Sequence, residues 1–307
     1  MSGAALEVVS VSLGSSTRDH TVEIVAGARR FRLSRVGTDG DLDEAARRIA
    51  DLDGHVAAIG LGGIDIYLEA AGTRYPVRDG VRLQACAHVT PVVDGAGVKD
   101  TLERQAVEAL AAEGVVGPGT PVFLVSALDR FGMAEAFDAA GCRLACGDLM
   151  VTAGIPYPIE SLAELADVAR RVLPQFARLP FTMLYPTGKA QEREPDGKLA
   201  DAFAAAAVVA GDFHLIRQHM PARLDGKTVV TNTTTAEDVA DLARRGVARL
   251  VTTTPPMEGR TFGTNVIEAM GVAALGSPPG GAAPAEVARV LAELGIGPQA
   301  RRLETVS

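Results

Sequence analysis

The sequence predicts an α/β protein: a Rossmann-like, doubly wound parallel sheet in the C-terminal portion, preceded by a mixed α/β domain. Three observations carry this. From Pro121 onward, short apolar runs alternate with amphipathic stretches of helical period, the pattern of parallel strands covered on both faces. Residues 114–119 read GVVGPG and sustain neither helix nor strand, which makes them the expected linker between domains over 1–117 and 118–307. A chain of 307 residues also fits two domains better than one.

In chain order, residues 6–13, 21–25 and 31–36 read as three short strands of a meander, with a turn at Gly14-Ser15-Ser16. Asp41 caps a helix over 42–52 that keeps Ala45, Ile49 and Leu52 on one face. A buried strand at 55–61, extended runs at 64–68 and 73–77, a short helix at 82–88 and a helix at 99–113 complete the N-terminal domain. Three strands, a helix and a further strand resemble the order of ribonuclease-H-like domains. Those carry an acid on the first strand, where this chain has Ser10 and Ser12. The Gly14-Ser15-Ser16 loop therefore reads either as a phosphate-binding hairpin or as a plain turn.

After the linker, strands at 121–127, 142–146, 181–184, 208–210, 228–231 and 249–251 are expected. They alternate with helices at 133–140, 159–173, 198–206, 236–246 and 265–275. Ligands of such sheets bind beyond the carboxyl ends of the strands. Loops 126–132, 147–148, 211–214, 231–235 and 252–256 are thus expected to share one crevice. Beyond Gly276 the expectation is a short helix at 284–294 and a frayed tail.

The formal net charge of -8 argues against nucleic acid as a partner, because phosphate binding needs a basic face. Cys86, Cys142 and Cys146 are too few and too odd in number for a disulfide framework, which points to a reducing compartment. Their spacing is not that of a zinc knuckle, so no metal is expected. Residues 1–6 lack the basic flank and apolar run of a signal peptide, and the longest apolar stretch, 202–210, is about half a membrane span. The expectations are a cytoplasmic protein, a small-molecule substrate, no membrane partner and a homodimer.

Several residues stand where chemistry belongs. Residues 126–132, SALDRFG, join a strand to a helix, the place of a dinucleotide fingerprint. Aligned on Gly132, the earlier glycine positions are Ala127 and Asp129. Arg130 would offset Asp129, and helix amides remain for an anion. Asp148 follows Ala127 by about 20 residues, where an acid holds ribose hydroxyls, or else caps the next segment. Asn232 and Thr253 lie in the hydroxyl-rich strand tips 231–235 and 252–254, which could bind ribose or phosphate, or simply cap helices, as Thr235 before Ala236 would. His214 is placed at a strand end, to orient a hydroxyl or shuttle a proton; a structural histidine is the plainer alternative. Arg260, Thr261 and Asn265 flank the last long helix as a candidate anion site.

The run from Val208 to Pro255 resembles the second half of nicotinamide-binding domains in shikimate and quinate dehydrogenases. With DRFGM at 129–133, GDLM at 147–150, YPTG at 185–188 and RTFGTN at 260–265, the chain resembles a small bacterial family labelled quinate 5-dehydrogenase. The resemblance implies an NAD(P)-dependent oxidoreductase of a small polyhydroxy acid, with NAD or NADP as cofactor. It also implies a Lys–Asp pair for proton transfer. Lys99 is then the candidate base, with Asp65 or Asp94 as its partner; a lowered lysine pKa is required. The alternatives are a nucleotide- or phosphate-metabolite-binding protein without hydride chemistry, and a structural or regulatory subunit.

Overall fold

The computed structural model describes residues 4–184, 199–257 and 260–304. In the first sheet lie β1 (Leu6–Ser12), β2 (His20–Ala26) and β3 (Arg29–Gly37). Next come α1 (Leu42–Leu52), β4 (Ala58–Gly62), the β5 (Tyr67–Ala70) and β6 (Thr73–Pro76) hairpin, α2 (Arg78–Gln84) and β7 (Val92–Val93). The spatial order is β2-β3-β1-β4-β7, and only β2 runs antiparallel to its neighbour. The expected meander is therefore not formed: β1 pairs with β3 in parallel and does not pair with β2. The physical reason is burial. Val8, Val9 and Val11 of β1 are all buried, which suits a central strand and not the edge of a meander.

Alternate residues of β1 and Leu13 just beyond it enter different layers. Val9, Val11 and Leu13 pack with Ala45 and Ile49 of α1, whereas Val8 packs with Phe31, Leu33 and a set of later helices. The capping expectation at Asp41 holds, its carboxylate accepting from the amides of Asp43 and Glu44.

A long helix, α3 (Ala96–Ala112), leads to the second sheet. This comprises β8 (Pro121–Leu124), α4 (Phe131–Ala139), β9 (Arg143–Cys146), α5 (Asp148–Ala153), α6 (Leu162–Phe176), α7 (Phe181–Leu184) and α8 (Ala200–Ala205). It continues with β10 (Val208–Ala210), α9 (Phe213–His219), β11 (Thr228–Thr231), α10 (Ala236–Arg244) and β12 (Arg249–Thr252). A small hairpin of β13 (Pro256–Met257) and β14 (Arg260–Thr261), then α11 (Thr264–Leu275), α12 (Pro284–Glu293) and β15 (Gln299–Arg302) close the chain.

The second sheet has the order β15-β12-β11-β10-β8-β9 and is parallel except for β15. Val122 and Leu124 join one apolar cluster with α4 and α6, and Phe123, Val125, Val209 and Val229 join another with Phe203, Phe213 and Leu242. Both faces are covered, as the continuous apolar strands predicted, and the doubly wound α/β class is correct.

Local differences remain. Residues 181–184 are helical, not extended, since Phe181 is held at a helix start by the Asp79 carboxylate on its amide. The tail expected to fray instead adds β15 to the edge of β12. His214, expected at a strand end, sits in the first turn of α9, whose N-cap is Asp212. The YPTG motif lies outside the described residues.

The last helices return to the first sheet. α11 lies over β1 and β4, and α12 lies on α11 and α3. Gly60 of β4 permits this, because a Cβ there would stand 2.8 Å from the Asn265 carbonyl oxygen. Asn265 Nδ2 also donates to Ser10 Oγ at 2.8 Å. Residue 265 thus seats α11 on the sheet.

Candidate functional site

In the second sheet, β8 and β10 are neighbours, and the connection from β8 runs to β9 while that from β10 runs to β11, so the two leave in opposite directions. A crevice forms at such a switch point. Here the loop after β8, a 3-10 turn over Leu128–Arg130, faces Gly211 and Asp212 at the end of β10. The β5–β6 hairpin and α3 approach from the other side. Between them is a cavity of about 50 Å³ whose lining includes Tyr67, Glu69, Lys99, Glu103, Asp129 and Arg130.

Lys99 spans this cavity. Its Nζ donates to Asp65 Oδ1 at 2.8 Å and to Asp129 Oδ1 at 3.0 Å, so one ammonium ties the first sheet's loop to the second sheet's loop. Burial works against the charged form, but Asp129 and Asp65 outweigh it and raise the lysine pKa well above its ordinary value. Burial raises Asp129 as well, against the pull of Lys99.

Behind Lys99 lies a second charged layer. The buried Arg130 guanidinium bonds Glu103 through Nη1 and reaches Asp212 Oδ2 at 3.3 Å through Nη2. Burial pushes the Glu103 carboxyl up to about 7 despite Arg130 and Lys99. At Asp212 burial is outweighed by Arg130, His214 and Asn232, and the pKa is lowered. On the first-sheet side, Asp94 accepts from the amides of Ile66 (2.5 Å) and Ala96 (2.9 Å), and Glu268 of α11 accepts from Gly95 at 2.7 Å. Burial and then Asp94 push Glu268 up to about 8.

The structure thus brings Lys99 and Asp65, expected as a proton-transfer pair, together with Asp129 and Arg130, expected in a cofactor loop. A base needs a lowered lysine pKa, and two carboxylates do the reverse to Lys99. His214 is exposed on α9 and does not line the cavity. The dinucleotide elements are used internally. The Asp148 carboxylate accepts from the amides of Ala127 (3.0 Å) and Leu128 (2.9 Å), donors that a pyrophosphate would need. Burial raises this carboxyl to about 6.

Gly132 serves helix packing, since a Cβ there would meet Asp100 Oδ1 of α3 at 2.1 Å. Asn232 is spent on Asp212 and on the amide of Phe213. Thr253 is fully buried, its amide bonded to the Thr231 carbonyl. Thr235 caps α10 in a reciprocal box with Asp238, the plainer of its two expected roles.

Sequence reasoning missed Glu103, Asp212 and Glu268. Glu103 was within reach: it follows Lys99 by four residues, on the same face of α3. Glu268 is a lone acid in the apolar run TNVIEAMGVAAL, a signal of a buried and partnered carboxylate.

The molecule is therefore a two-sheet α/β protein with a charged cavity where its two sheets meet. The chain belongs to the family described as Domain of unknown function (DUF8754), which matches residues 97–303; Domain of unknown function (DUF8753) matches residues 7–94. No curated protein matches the sequence.

Among solved structures, it is similar to a carbohydrate transporter solute binding protein from Agrobacterium radiobacter in complex with D-arabinose. That match has 11% identity and a TM-score of 0.36, covering 100% of this chain and 92% of the other. It is also similar to the substrate-binding protein of a sugar ABC transport system from Bordetella parapertussis 12822. There the identity is 14% and the TM-score 0.35, with 81% and 75% covered. A galactofuranose binding protein matches at 12% identity and a TM-score of 0.36, with 94% and 98% covered.

The matching family corrects the resemblance to quinate 5-dehydrogenase: it is DUF8754. The NAD(P)-dependent oxidoreductase reading falls with it, as Asp148 on the amides of Ala127 and Leu128 already indicates. At the loop after β8 the phosphate-metabolite alternative is not supported either, since Asp148 occupies the amides of Ala127 and Leu128 and acids outnumber bases around the cavity. No helix among the described residues is long and apolar enough to cross a membrane.

Proposed function

We propose that the protein binds a small, neutral polyhydroxy compound in the crevice between its two sheets, without acting on it chemically. The observation that carries this is Lys99, held charged between Asp65 and Asp129 at the cavity. Such a group donates hydrogen bonds but does not take up a proton. The carboxylates beside it accept hydrogen bonds from hydroxyl groups, which are the donors a polyol presents. The lining includes four acids, Glu69, Asp100, Glu103 and Asp129, against Lys99 and Arg130, and this balance disfavours an anion.

On this reading the ligand hydroxyls take over hydrogen bonds that Lys99, Asp65 and Asp129 make to one another. The cytoplasm stays the proposed compartment, on its three free cysteines, and a homodimer the proposed assembly.

The test is thermal shift with a panel of neutral monosaccharides and polyols, followed by calorimetry on any hit. Binding at 100 times Kd would stabilise the fold by about 2.7 kcal/mol. Stabilisation that Asp129→Asn weakens at least tenfold is the expected result. Stabilisation by amines alone, or by nothing in the panel, overturns the reading.

A further inference from the structure

The first sheet has its own carboxyl edge, remote in sequence from the cavity. Central β1 lies between β3 and β4, so a second switch point falls at its end. Two arginines converge there. Arg18 Nη2 and Arg35 Nη2 come within 2.7 and 2.9 Å of the place a Cβ of Gly14 would take, so the bare glycine is what admits both guanidinium groups.

Arg35 is anchored. Its Nη1 donates to Asp19 Oδ1 and to the Ser15 carbonyl, each at 2.9 Å, and its Nη2 to Ser12 Oγ at 3.0 Å. Arg18 is exposed, and its guanidinium has no hydrogen bond or ion pair among the described residues. Burial, then Arg18, lowers the Arg35 pKa, so the two cations oppose one another across Gly14.

The surroundings set the charge that the pair can take. Asp19 also holds the Gly37 amide at 2.6 Å, and Asp39 holds the amide and hydroxyl of Ser16 at 2.8 and 2.7 Å. Asp39 does this from a left-handed backbone, φ 52°, which is uncommon for a residue with a Cβ. Two aspartates already balance two arginines. One further negative charge would relieve the opposition of the guanidinium groups; a second would meet Asp39 with nothing to offset it.

We propose that Arg18 and Arg35, over Gly14 at the end of β1, form a second ligand site that takes a carboxylate monoanion. Arg35 is the fixed donor and Arg18 the arm that closes on the ligand. Planar N–H groups from two guanidiniums match the two oxygens of one carboxylate. The site does not depend on the reading of the inter-sheet cavity.

The experiment is a titration of the full chain with acetate, followed by amide and arginine Nε resonances, with sodium chloride at equal ionic strength as the control. Saturable shifts confined to Gly14, Ser15, Arg18 and Arg35 are expected. Arg18→Gln should weaken them at least about tenfold, the loss of one charge-assisted hydrogen bond. Arg18 is exposed, so this variant keeps its fold, and circular dichroism checks that. The proposal is overturned by three results: no saturable shift, an unchanged response in Arg18→Gln, or inorganic phosphate binding more tightly than acetate.

Discussion

Glu268 shows how one buried carboxyl sets the pH response of the chain. It accepts the Gly95 amide from within apolar α11, and burial lifts its pKa to about 8. Between about 4.5, the unfolded value, and about 8, the folded state therefore holds the proton more firmly than the unfolded chain does. Stability then falls as pH rises through that window, by up to ~1.4 kcal/mol per pH unit from this group. Glu103, at about 7, and Asp148, at about 6, act in the same direction over narrower windows. Glu268→Gln keeps an oxygen for Gly95 and removes the titration. Urea unfolding should find the variant close to the wild type at pH 5 and more stable by a few kcal/mol at pH 8.5. Parallel stability curves would show that Glu268 does not titrate in this range.

At the level of elements, helix seating depends on close approach. The contact of α11 with β4 rests on Gly60, whose missing side chain leaves room for the Asn265 backbone. Gly60→Ala forces α11 outward, and with it Glu268 and the Asn265–Ser10 hydrogen bond. Overpacking of this kind costs about 1–3 kcal/mol. Chemical denaturation should show that loss, and amide exchange should quicken in α11 and at Gly95 before it does in β10 or β11. Uniform quickening in both sheets would argue that α11 is not seated independently.

For the whole molecule, the decisive link is Lys99. Asp65 belongs to the loop after β4 and Asp129 to the loop after β8, so the ammonium holds two sheets at a fixed spacing. Lys99→Met removes the ammonium that Asp65 and Asp129 share. The expected result is a loss of about 1.5–3 kcal/mol, the scale of a hydrogen bond to a charged group. A larger radius of gyration in small-angle scattering should accompany it. An unchanged radius would mean that apolar packing alone sets the spacing; one apolar cluster does run from Val9 and Ile59 through α3 to Val122 and Leu124.

The sequence by itself determined which segments are strands and helices over most of the chain, the α/β class, and caps such as Asp41 and Thr235. These are legible because hydrophobic period and capping chemistry act over a few residues. The tertiary structure decided what each buried face is buried against. Periodicity marks Val8, Val9 and Val11 as inside but says nothing of β3 and β4 as parallel partners. It marks residues 265–275 as a helix but not as a cover for the first sheet, and the Gly95–Glu268 bond joins positions 173 residues apart. The same limit explains the dinucleotide reading. A strand, a turn and a helix followed by an acid are identical in sequence whether that acid waits for a ribose or, like Asp148, turns back onto the amides of Ala127 and Leu128. Only the folded positions of the donors distinguish the two, because a hydrogen bond is decided by distance and angle and not by order along the chain.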